Sequence, residues 1–155
     1  MKVIRIIATI LVSVGMALIF ACSEEKTVSL EGNEDIVAVL QKLPKCLDNL
    51  EVNSEIYADN AILKQEDYWT GHMLEFKGLK EIEKWRKDRG ENWRRTSLSI
   101  SSIEQEADTA HVKYQMDIVA VKTDAEFAVL NCSAEMLKIG PKWKIKEEII
   151  KAKFK

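Results

Sequence analysis

The sequence predicts an α+β domain with N-terminal helices packed on one face of an antiparallel sheet. Three observations predict it. Up to Gly90, apolar residues recur mostly at helical spacing. After Gly90 the period changes to two. The connections between the later apolar runs are short enough for hairpins. Helices followed by a run of strands define the class.

The elements follow in order. Ile36, Leu40, Leu43, Leu47 and Leu50 form one stripe, so Glu34–Leu50 reads as a helix that Pro44 bends or interrupts. Val52–Tyr57 reads as a short second helix. Ala61–Leu63 and His72–Lys77 read as short strands around a loop that carries Tyr68 and Trp69. Gly78 opens a helix with Leu79, Ile82 and Trp85 on one face, and Gly90 stops it. Four strands are predicted after it: Trp93–Gln105, Thr109–Val121, Ala125–Lys138 and Lys142–Lys153. In the second, Ala110, Val112, Tyr114, Met116 and Ile118 face one way; His111, Lys113, Gln115 and Asp117 face the other. The turns Glu106–Asp108, Lys122–Asp124 and Ile139–Pro141 make the four an antiparallel meander.

Residues 1–21 have the parts of a secretory signal: Lys2 and Arg5, then the apolar run Ile6–Phe20, then small Ala21. Ile19-Phe20-Ala21-Cys22 resembles the bacterial lipobox, with Phe20 in place of a small or aliphatic residue. The resemblance implies cleavage before Cys22 and lipid on that cysteine. Each buried methylene adds roughly 0.8 kcal/mol of membrane affinity, so two or three acyl chains anchor firmly. The uncharged run to Ser23 falls short of the roughly 20 residues that a span needs. By the same resemblance, Ser23 rather than Asp after the cysteine implies an outer membrane if the cell is Gram-negative. Residues 22–33 then form a lipidated, polar tether, and residues 34–155 one domain, a length that suits a single core.

The whole chain has 23 basic and 25 acidic residues, a balance that gives no reason to expect nucleic acid. Cys46 and Cys132 sit in apolar contexts. An oxidising compartment permits a disulfide between them, and two buried free thiols fit equally well. They and the isolated His72 and His111 lack metal-ligand spacing, and no cofactor is implied.

Four strings in order resemble the nuclear-transport-factor-two-like superfamily, which includes SnoaL-like and ketosteroid-isomerase-like proteins. They are Glu55–Leu63, Phe76–Ile82, Ala107–Ala110 and Gly140–Ile145. The resemblance implies a cone, in which a strongly curved sheet wraps the helices and leaves a cavity at its open end. It also implies that the outer sheet face can pair into a homodimer. Members of the superfamily divide among enzymes, carriers and adaptors, so the fold selects no function.

Two functions fit these residues. The first is a membrane-tethered module that binds a small apolar ligand or a protein, with Tyr57, Trp69, Trp85, Trp93 and Tyr114 as cavity lining. The second is a small proton-transfer enzyme of isomerase, cyclase or dehydratase type. It would need a carboxylate desolvated in the cavity, with Asp67, His72 and Glu135 as candidates and Glu75 behind them. The strand pattern turns Asp117 away. Trp85–Arg95 sets tryptophans among basic residues. It suits an anionic or flat ligand, or a solvated helix end with both tryptophans buried.

Overall fold

The computed structural model describes residues 31–155; the leader, Cys22 and most of the tether lie outside the described residues. Helix α1 (Glu34–Leu40) ends earlier than predicted, and a short 3-10 helix (Leu43–Cys46) follows it. Pro44 lies in the first turn of that second helix, where its missing N–H is harmless. The apolar stripe survives the break: Ile36, Leu40, Leu43 and Leu47 are all buried. Helix α2 (Glu51–Ile56) passes directly into strand β1 (Tyr57–Glu66), which is much longer than the predicted Ala61–Leu63.

Strand β2 (Met73–Lys77) pairs antiparallel with β1. Gly78 then turns the chain into α3 (Leu79–Gly90) at φ +79°, a conformation that glycine adopts without a Cβ clash. At the other end of α3, a Cβ on Gly90 would lie 2.6 Å from the Leu47 carbonyl oxygen. Glycine is therefore what lets this helix end close on the N-terminal helices.

The predicted strand Trp93–Gln105 is two strands, β3 (Trp93–Arg95) and β4 (Ser99–Glu106). Both pair with β5 (Thr109–Ala120). Strands β6 (Glu126–Ile139) and β7 (Lys142–Phe154) complete the predicted meander. The sheet order is β2-β1-β7-β6-β5-β3, with β4 beside β3 on β5. One junction departs from the antiparallel expectation: β1 runs parallel to β7. The sheet curls into a half-barrel around the helices.

Alternation sorts the residues. Ala110, Val112, Tyr114, Met116 and Ile118 of β5 are buried, as are Ala128, Leu130, Cys132, Ala134 and Met136 of β6. On β7 the parity changes. Trp143 and Ile145 are buried, and beyond them it is Glu148 and Ile150. The register slips between Glu135 and Met136, where partners Glu147 and Ile145 bracket an extra residue, Lys146. This bulge turns Glu148 into the core in place of Glu147.

Candidate functional site

At one end of the half-barrel lies a mouth of about 400 Å³, bordered by Gln65, Tyr68, Trp69, Arg89, Trp93 and Phe154 among others. Its wall is aromatic. Tyr68 and Phe154 have ring centroids 4.4 Å apart, Trp93 and Phe127 5.5 Å, and Phe127 and Phe154 6.1 Å. The Arg89 guanidinium lies over the Trp93 ring at 4.7 Å, within cation–π range.

Asp67 fastens the β1–β2 hairpin that carries Tyr68 and Trp69. Its Oδ1 accepts from the Thr70 hydroxyl at 2.8 Å, the Thr70 N–H at 2.9 Å and the Trp69 N–H at 3.1 Å. The Thr70 bonds, with that from Trp69, hold its carboxyl below the usual range. Asp67 therefore shapes a loop and stays ionised.

Deeper in the cone, Glu148 and Arg86 are fully buried and 3.0 Å apart. Tyr114 donates its hydroxyl to Glu148 Oε1 at 2.5 Å. Tyr57 donates to Glu148 Oε2 and accepts from Arg86 Nη2. Burial works to raise the Glu148 pKa, but Arg86, Arg95 and the two tyrosine hydroxyls outweigh it and hold the carboxyl below its ordinary range. Burial pushes both tyrosines well up, so their hydroxyls stay protonated donors. An ionised carboxylate held by Arg86, Tyr57 and Tyr114 is a weak base, since protonation gives up the negative charge that these donors stabilise. Arg95 is buried nearby at 4% exposure, and its Nε and Nη1 have no hydrogen-bond partner among the described residues.

The predicted lining is corrected in part. Trp93 borders the mouth, and Trp69 borders it with 87% of its surface in solvent, a rim residue instead of an inner wall. Tyr57 and Tyr114 belong to the buried network. Trp85 packs on Phe76, with centroids 5.6 Å apart. Asp67, expected as a base beside the Tyr68–Trp69 loop, and Arg89, from the Trp85–Arg95 segment, also border the mouth, and Gln65, Glu66, Leu74, Ala152 and Phe154 join them without having been predicted.

The predicted bases are not brought together in a cavity. His72 is exposed across the hairpin from Asp67, and its backbone oxygen accepts from the Asp67 N–H. Glu75 is exposed beside Lys77. Glu135 lies on the outer sheet face, 3.0 Å from Lys146. It borders a groove of about 370 Å³ with His111, Lys113, Ser133 and Glu147. Asp117 accepts from the Ser97 hydroxyl at 2.6 Å. The disulfide is absent. Cys46 and Cys132 are both free and buried, each packed into the core, and burial pushes both thiols up. Within the basic segment, Arg86 and Arg95 are buried instead of solvated.

Comparison with known proteins is informative for the fold. No family model and no curated protein matches the chain. Solved structures do. A protein of unknown function with a cystatin-like fold from Nostoc punctiforme PCC 73102 superposes with a TM-score of 0.66 at 16% identity, over 81% of this chain and 94% of that one. A nuclear-transport-factor-two-like protein of unknown function from Silicibacter pomeroyi DSS-3 gives 0.62 at 13%, over 79% and 97%. Another from Shewanella baltica OS155 gives 0.61 at 13%, over 82% and 98%. The chain thus has the nuclear-transport-factor-two-like, cystatin-like fold.

Proposed function

We propose that the domain binds a small ligand in the aromatic mouth and is held at a membrane by lipid on Cys22. The mouth carries the proposal. A concave site of about 400 Å³, walled by Tyr68, Trp93 and Phe154, suits a compact apolar ligand. Proton-transfer chemistry is the weaker reading. Asp67, Glu75 and Glu135 are each engaged at the surface, and Glu148 is buried and held ionised by Arg86, Tyr57 and Tyr114.

Thermal-shift screening of the full chain against small aromatic and aliphatic compounds tests the binding reading. The expected result is a ligand that raises the melting temperature of the wild type but not of Trp93→Ala. A ligand that stabilises both proteins equally would place binding elsewhere. The anchor is tested separately. Mass spectrometry of the protein from bacterial membranes should find an N-terminal, acylated Cys22, and an intact Met1 would remove the anchor from the proposal.

A further inference from the structure

The interior of the cone holds more positive than negative charge. Among the described residues the buried charged side chains are Arg86, Arg95 and Glu148. Glu148 already accepts from Arg86, Tyr57 and Tyr114. Arg86 and Arg95 each leave Nε and Nη1 without a hydrogen-bond partner. Buried guanidinium donors with no acceptor are strongly unfavourable, and with Glu148 shared between Arg86 and Arg95 the interior carries one positive charge in excess.

The strand pattern places Arg95 relative to the mouth. Arg94 turns outward and pairs with Asp124. Trp93 and Arg95 therefore share the inward face of β3. Trp93 borders the mouth, and Arg95 follows it by two residues, roughly 7 Å along the strand. Gln65, 7% exposed and also bordering the mouth, has a carboxamide oxygen without a partner. The acids beside the mouth do not neutralise Arg95. Glu66 lies 3.7 Å from Lys151, and Asp67 is used by its own loop.

On the reading that the mouth binds a small ligand, we infer that the ligand is an amphipathic anion. It is a carboxylate or sulfonate on a flat apolar body. The body lies against Trp93, Tyr68 and Phe154, and the head supplies the second negative charge that Arg86 and Arg95, which share Glu148, lack, with an acceptor for the free Arg95 N–H groups. The Gln65 oxygen accepts from an O–H or N–H of the body where there is one. A neutral ligand could at most accept a hydrogen bond from Arg95 and would leave the excess positive charge as before.

Isothermal titration of the full chain with naphthoate and with naphthylmethanol, which has the same ring and no charge, is the test. Naphthoate should bind about ten-fold more tightly or better. Arg95→Gln should remove that preference, and Arg94→Gln should keep it. Arg95→Met should also raise the melting temperature of the ligand-free protein, because it removes the excess buried charge and donors that have no acceptor, while Arg86 still pairs with Glu148. Equal affinity of the wild type for the two compounds would overturn the anionic class and leave the binding reading standing. Binding of neither compound would overturn the inference, and if thermal screening also finds no ligand, the binding reading falls with it. If Arg95→Gln does not fold, the wild-type comparison still decides the class, and an undiminished preference in Arg95→Met would overturn the role of Arg95.

Discussion

Glu148 sits in a strand whose other charged residues are mostly lysines, and nothing in its local composition marks it. Its importance comes from its partners. Removing its charge while keeping its shape, as in Glu148→Gln, leaves Arg86 and Arg95 buried without a counter-ion. The expected loss is about 3–5 kcal/mol, read by urea denaturation. Tyr57→Phe removes a hydroxyl that both accepts from Arg86 and donates to Glu148, and should destabilise by about 1–3 kcal/mol. The same network sets a pH dependence. The folded Glu148 carboxyl lies below its ordinary value of 4.5, so the unfolded chain takes up the proton more readily. Its contribution is complete above the unfolded value and is lost as pH falls through the folded one. The stability gap between wild type and Glu148→Gln should therefore be constant near neutrality and narrow below about pH 4.5. A gap that widens in acid would mean that Glu148 is not held ionised.

At the scale of elements, apolar periodicity was legible and its interruptions were not. The β5 alternation and the α3 face are as read, because each has an unbroken period and packs by one face. Strict alternation from Trp143 would put Glu147 inside. The bulge at Lys146 reverses the parity, and no local residue signals it. Likewise Thr96–Leu98 separates β3 from β4 within what reads as one strand. Trp93 and Arg95 therefore share a short strand of their own beside the mouth. The mouth itself joins the β1–β2 hairpin tip to the end of β7, segments far apart in sequence, so the Asp67–Trp69 loop and the Trp85–Arg95 segment were legible as separate candidates but not as one wall with Gln65 and Phe154. The α3 terminus offers a direct check on packing. Gly90→Ala puts a methyl into the Leu47 carbonyl, and the helix end must move; the expected cost is about 1–3 kcal/mol in chemical denaturation. An unchanged midpoint would show that this contact yields easily.

Across the whole molecule, the two ends of β7 do different things. Phe154, at its C-terminal end, borders the mouth. Lys142, at its start, borders a groove with Asp35 and Val39 of α1, the helix that the tether would join. Thirteen residues of strand put about 40 Å between these ends at roughly 3.3 Å each. The start of α1 and the mouth therefore lie at opposite ends of β7. Overall class and helix-to-strand order were readable because they rest on periodicity over many residues. The ligand site was not, because it rests on a few side chains brought together by curvature. Whether the mouth is the binding site is decided by an amide-resonance NMR titration with naphthoate. The predicted result is shifts concentrated at Gln65, Tyr68, Trp93 and Phe154. Shifts concentrated on the outer face around Lys113, Ser133 and Glu135 would contradict it.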